Sequence, residues 1–319
     1  MARARRKTLR AKGWTADNIP DLSGRTVVVT GGNSGIGYEA ALQFARKGAE
    51  TILACRSLDK AGAATKQIVA TSPKAKVEAI ALDLSSLASV RSFADQFHKS
   101  HRTLDALVNN AGVMALPYRK TEDGFEMQFG TNHLGHFALT GLLLDRLLAS
   151  GGARVVNVSS GAHRMGRIRF DDLQWQRGYY KWFAYGQSKL ANLLFTFELQ
   201  KRADAAGAKL LAVGCHPGYA ATNLQGAGPR MAGSSGMESF WTMMNRAFAQ
   251  NAAMGALPTL YAATSPEVRG NDYIGPDGFA EMWGNPTKVE SSKAAQDPQS
   301  AARLWEVSEQ LTNVHYSFN

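Results

Sequence analysis

The chain has 319 residues, 45% of them hydrophobic, 19% charged and 9% aromatic, which supplies enough apolar surface for a full core and excludes a disordered or collagen-like chain. Of the net charge of +10, six positive charges (Arg3, Arg5, Arg6, Lys7, Arg10 and Lys12) precede the first acid, Asp17, leaving +4 for the other 307 residues. The two cysteines, Cys55 and Cys215, have no C-x-x-C spacing, which excludes a disulfide-stapled mini-protein and argues against a structural zinc or iron–sulfur site.

Residues 1–20 read as a flexible basic tail. A short basic arm can touch nucleic acid or anionic lipid, so peripheral membrane contact stays open, but a solvated terminus is preferred and no nucleic-acid partner is expected. The tail has no apolar signal region and no run of about 20 apolar residues follows; a cytoplasmic protein is expected. From Leu22 onward short β-branched runs alternate with helical stretches. Strands are predicted at Arg25–Thr30, Thr51–Cys55, Val77–Leu82, Leu104–Val108, Arg154–Val158 and Leu210–Cys215, with a short edge strand at Tyr273–Ile274. Helices are predicted at Gly35–Lys47, Lys60–Thr71, Ser86–Lys99, Thr131–Leu148 and Tyr185–Ala205. Apolar strands separated by helices mean a parallel sheet covered on both faces, and right-handed crossovers make it doubly wound. The expected fold is therefore α/β: one Rossmann-like domain over 21–319 with about seven strands. Two segments break the rhythm. Gly161–Ala184 carries Trp175, Tyr179, Tyr180, Trp182 and Phe183, and Thr222–Met254 is rich in Gly and Met. Long connections at the carboxyl end of such a sheet are where ligand sites form.

Three patterns carry chemistry. Thr30-Gly31-Gly32-Asn33-Ser34-Gly35-Ile36-Gly37 follows a strand and opens a helix, the context in which glycines admit a pyrophosphate to the backbone and the helix N-terminus offers unpaired N–H groups. The next strand ends in Arg56, where an NAD-preferring site usually has an acid. A guanidinium there can stack on adenine and pair with a 2′-phosphate, so NADP(H) is predicted over NAD(H). Tyr185 and Lys189 lie at i, i+4 on one helix, where a nearby ammonium would favour the phenolate.

Taken together with Asp83-Leu84, Asn109-Asn110-Ala111-Gly112, Asn132 in NHLGHF, Ser159-Ser160 and Pro217-Gly218 with Thr222, these motifs resemble the short-chain dehydrogenase/reductase family over about Leu22–Ile274. YGQSKLANLLFTFEL, ACRS and NHLGHF look most like its retinol dehydrogenase and protochlorophyllide reductase-like branch. The resemblance implies a catalytic tetrad of Asn132, Ser160, Tyr185 and Lys189. Tyr185 would be the general acid or base, Lys189 would bind the nicotinamide ribose, Ser160 rather than Ser159 would hold the substrate oxygen, and Asn132 would hold a water in a proton relay. It also implies cofactor contacts at Asp83, Leu84, Asn110, Ala111, Gly112, Pro217, Gly218 and Thr222, and a substrate lid over about 222–254. Homodimers or homotetramers built through Thr131–Leu148 and Tyr185–Ala205 are suggested, although the branch includes monomers.

The substrate is expected to be a bulky apolar carbonyl or alcohol, because aromatic and Met-rich segments flank the site. His133, His136, His163 and His216 read as packing residues rather than metal ligands or a triad. The rival readings are a catalytically silent nucleotide sensor or scaffold of the same fold, and a light-dependent tetrapyrrole reductase that rests on similarity alone.

Overall fold

β-Branched and aliphatic runs become strands at β1 Thr26–Thr30, β2 Glu50–Cys55, β3 Lys76–Ala81, β4 Ala106–Asn109, β5 Ala153–Val158, β6 Leu210–Cys215 and β7 Tyr273–Pro276. The structure is a computed structural model and describes residues 13–219 and 251–318. These seven strands pair in parallel, and an eighth, β8 Pro286–Lys288, adds to β7 antiparallel. The sheet order is β3-β2-β1-β4-β5-β6-β7-β8. Chain direction across the sheet reverses between β1 and β4, which opens a crevice at their carboxyl ends.

Two apolar layers cover the sheet. On one face lie α1 Gly35–Arg46, α2 Leu58–Thr71 and α7 Ala252–Thr264, contributing Phe44, Ile68 and Leu260. On the other lie α3 Leu87–Ser100, α4 Gly135–Leu142, α5 Leu144–Ala149, α6 Lys181–Ala205 and α8 Pro298–Thr312, contributing Phe93, Phe137, Leu144, Leu199 and Trp305. α7 was not anticipated because it is buried nearly all round and therefore lacks an amphipathic stripe. α8 has a readable start, Asp297 capping Gln299 and Ser300 with Pro298 in the first turn.

Two helix boundaries differ from expectation. The single helix expected over Thr131–Leu148 is a π-helical turn, Gly130–Leu134, followed by α4, a break at Leu143 and α5. The wide turn belongs to the site, as shown below. α6 begins at Lys181, four residues before Tyr185, and so absorbs the end of the Gly161–Ala184 insertion. Among the described residues no helix is long and apolar enough to cross a membrane.

Candidate active site

Thr30, the last residue of β1, organises the crevice. Its hydroxyl accepts the N–H groups of Asn110 and Ala111, both at 2.9 Å, and lies 2.9 Å from His136 Nε2. The Asn110 side chain donates to the Thr30 carbonyl at 2.8 Å. The turn after β4 is thereby locked onto the glycine turn after β1. Gly31 has φ +66°, and a Cβ there would meet Ala111 at 3.1 Å, so a side chain at this position would be both strained and crowded. The Cys55 thiol packs against the backbone of Gly32 and Asn33, and burial pushes its pKa up to about 11. α1 starts here without a side-chain cap from Ser34 and without an acid in its first turn, whereas α2, α3, α7 and α8 all carry caps. An uncapped helix start with its N–H groups at a glycine turn fits a pyrophosphate.

A cleft of about 390 Å³ runs from this turn to α6. Gly31, Asn33, Ser34, Gly35, Ile36 and Gly37 line one end, Asn110, Ala111 and Gly112 the middle, and Ser160, Tyr185, Lys189, Pro217 and Gly218 the other end. The Ser160 hydroxyl faces the same end of the cleft as the Tyr185 phenol, near enough to favour the phenolate, and accepts the Ala162 N–H at 3.2 Å. Ser159 points elsewhere, donating to the Lys189 carbonyl at 2.8 Å. Lys189 Nζ donates to the Val158 carbonyl at 3.0 Å and sits 5.8 Å from the centre of the Tyr185 ring. Asn132 lies in the π turn, with its amide donating to Val113 O and Ser188 Oγ, both at 2.9 Å, and its oxygen accepting Val113 N–H at 2.7 Å.

The electrostatics differ from the expected picture. Burial pushes the Tyr185 phenol up to about 12, opposed by the hydrogen bond from Ser160. Lys189 does not depress it, because its ammonium is turned onto Val158, and burial lowers its own pKa to about 8. Desolvation is the largest cause in both groups.

Not every expected residue lines the cleft. Arg56 is exposed at the end of β2 and has no ion-pair partner among the described residues. Asp83 is occupied by the turn after β3, accepting from Ser85 N–H and Oγ, and Leu84 is buried. Thr222 and the 222–250 part of the expected lid lie outside the described residues, as do residues 1–12 of the tail.

The short chain dehydrogenase family model matches residues 25–231. The chain is 42% identical over 308 residues to "Retinol dehydrogenase 12" of Mus musculus, covering 96% of this chain and 92% of that one. It is 43% identical over 308 residues to "Retinol dehydrogenase 13" of Homo sapiens, covering 95% and 88%.

The chain belongs to the short-chain dehydrogenase family.

Within it, the chain falls in the retinol dehydrogenase-like branch and is a nicotinamide-dependent oxidoreductase. The crystal structure of an uncharacterized protein from Mycobacterium paratuberculosis aligns with it at a TM-score of 0.79 and 45% identity, covering 96% of this chain and all of that one. Of the remaining lining residues, Met114, Val158, Ala162, Trp182 and Tyr219 carry no motif; only the aromatic content of the insertion hinted at Trp182.

The insertion of this short-chain dehydrogenase is part of the site rather than an appendage. The Gln187 side chain accepts Arg169 N–H at 3.0 Å and donates to Leu173 O at 3.1 Å. A Cβ on Gly166 would stand 2.3 Å from the Gly186 carbonyl, so the insertion lies against α6 one residue from Tyr185. Tyr179 reaches across to Leu116 O at 2.9 Å and to the buried carboxylate of Glu126. His133 and His136 are buried and neutral: burial lowers His133 to about 3 and His136 to about 4. His133 rests on Ser308 of α8, and His136 joins Asn132 O to Thr30.

Proposed function

We propose that this chain is an NADP(H)-dependent short-chain dehydrogenase that interconverts a carbonyl and an alcohol on a bulky apolar substrate, with Tyr185 as the proton-transferring group. The observation that carries this is that Ser160, Tyr185 and Lys189 converge at one end of a cleft whose other end is an uncapped helix start on a glycine turn. A dinucleotide bound along that cleft would supply the hydride. Gly31, Asn33, Ser34, Gly35, Ile36 and Gly37 would hold its pyrophosphate, Asn110, Ala111 and Gly112 the adenosine side, and Lys189, Pro217, Gly218 and Thr222 the nicotinamide half. Asp83 and Leu84 would approach the adenine through main-chain groups.

The high pKa of Tyr185 keeps its proton in place at neutral pH, which suits a general acid. Ser160 would orient the substrate oxygen, and Lys189, charged below about pH 8, would hold the nicotinamide ribose. The Asn132 side chain is held by Val113 and Ser188, and its main-chain carbonyl, one lone pair of which accepts His136 Nδ1–H at 3.0 Å, would be its share in a relay. Met114, Trp182 and Tyr219 give the substrate end an apolar wall, consistent with relatives named for retinol. The exposed Arg56 guanidinium at the end of β2 supports a 2′-phosphate.

Reduction of a panel of hydrophobic aldehydes and ketones, retinaldehyde among them, is followed as loss of NADPH absorbance. Turnover in the unmodified protein and its loss in Tyr185→Phe are expected; equal rates in both would remove Tyr185 from the chemistry. Arg56→Asp should weaken NADPH at least tenfold more than NADH, a difference of about 1.4 kcal/mol, and equal weakening would remove the 2′-phosphate assignment. Cofactor binding without turnover on any substrate would favour the silent-sensor reading.

A further inference from the structure

Beyond β5 the chain enters a short 3-10 helix, Gly161–Met165, whose first residue boundary is Ser160. His163 sits on its inner side, 1% exposed. Both its backbone N–H, at 3.0 Å, and its Nδ1, at 2.7 Å, reach the Ser160 carbonyl. Its Nε2 lies 3.1 Å from the Ser292 N–H. A ring nitrogen that accepts an N–H carries no proton of its own, so Nε2 is the bare nitrogen and Nδ1–H is the donor to Ser160. The Tyr273 ring meets the imidazole edge-on at 5.4 Å and 85°, with its hydroxyl 3.5 Å from Nδ1. Arg164, His216 and Glu281 are the other charged or titratable groups around it, and burial keeps it neutral.

The Ser160 main chain is thus clamped by one imidazole in one tautomer. Ser160 Oγ is aimed by that main chain, since it accepts Ala162 N–H from the same turn and faces the cleft that Tyr185 also lines. We infer that His163 is a positioning residue that holds Ser160 in place beside Tyr185, its ring fixed between the Ser160 carbonyl and the backbone N–H of Ser292. The inference rests on the proposed roles of Ser160 and Tyr185. A phenylalanine-like packing role would need neither nitrogen, whereas both nitrogens are engaged here by groups from different parts of the chain.

The test uses the full-length protein, NADPH and whichever aldehyde of the panel it reduces fastest. His163→Leu should lower kcat on the order of 100-fold, the cost of a small misplacement at the reacting groups, with the NADPH Kd from nucleotide fluorescence within about twofold of the unmodified protein. His163→Asn keeps an N–H where Nδ1 stands and should recover at least about tenfold of the loss. Ser292→Pro deletes the N–H that Nε2 accepts at a residue whose φ is −67°, which proline adopts. It leaves Nε2 without its donor and the ring held from one side only, and should lower kcat about tenfold with NADPH binding intact; this variant keeps the test decisive if His163→Leu fails to fold. Unchanged kcat in these variants, no advantage of Asn over Leu, or a parallel loss of NADPH binding would each overturn the inference. If Ser160→Ala and Tyr185→Phe also retain full turnover, the proposed function itself falls; if those two are inactive and the His163 and Ser292 variants are normal, only the positioning role does.

Discussion

At the scale of single residues, burial sets both ends of the tyrosine–lysine pair. Tyr185 stands near 12 and Lys189 near 8. Reduction needs the phenol protonated and the ammonium charged. On these values Lys189 loses its charge first as pH rises, so the reductive kcat should stay level below about pH 8 and fall above it. Oxidation needs the phenolate, which the high Tyr185 value withholds at neutral pH, so the oxidative kcat should climb with pH over the same range. Initial rates in both directions between pH 6 and 10 check this; an oxidative rate that is flat from pH 6 upward would show that the phenol is already ionised and that desolvation does not control it. The i, i+4 spacing of Tyr185 and Lys189 was legible in the sequence, because helix geometry alone puts them on one face. The direction in which Lys189 points was not, since it is set by the Val158 carbonyl across the sheet–helix contact.

At the scale of elements, the decisive feature is the π-helical turn Gly130–Leu134. A helical pattern in NHLGHF is visible in the sequence, but one wide turn does not alter apolar periodicity enough to be read. Its purpose is visible only in contacts: it swings Asn132 inward to Val113 and Ser188, and leaves the Asn132 carbonyl to His136 Nδ1–H. His136 then reaches Thr30, which in turn holds the N–H groups of Asn110 and Ala111. One buried neutral imidazole therefore ties the proton-transfer side of the cleft to the dinucleotide side. His136→Leu should orphan the Asn132 carbonyl and loosen Thr30, each a buried polar loss of about 1–3 kcal/mol. The expected result is a lower melting temperature together with NADPH binding weakened about tenfold or more, read by thermal denaturation and nucleotide fluorescence on one preparation. Destabilisation with nucleotide affinity unchanged would confine His136 to the core.

At the scale of the whole molecule, the doubly wound sheet and the order of its motifs were open to sequence reasoning because each glycine turn or polar pair falls at a strand end. The treatment of the two long helices was not, because it depends on a segment more than 100 residues away in the chain. α8 lies along α6, and Trp305, 2% exposed, packs its ring 5.2 Å from Phe137, 5.9 Å from Phe195 and 4.4 Å from Tyr316. Arg202 stacks on the outer side of the same indole at 4.5 Å, and Ser308 closes on His133 at 2.9 Å. Between Ala184 and Gln200 every residue of α6 is buried except Phe197, which is half-buried. Among the described residues α8 covers much of α6, so close pairing of two chains through α4 and α6 would require α8 to leave. That departure would expose Trp305, Phe137 and Phe195 at once, and truncating such an aromatic costs about 3–5 kcal/mol. Trp305→Ala should therefore lower stability by about that amount in urea denaturation, and the unmodified protein should sediment at micromolar concentration without association through this face. A dimer in sedimentation velocity that Phe197→Asp dissolves would show that α6 is a subunit seam after all and that α8 does not seal it.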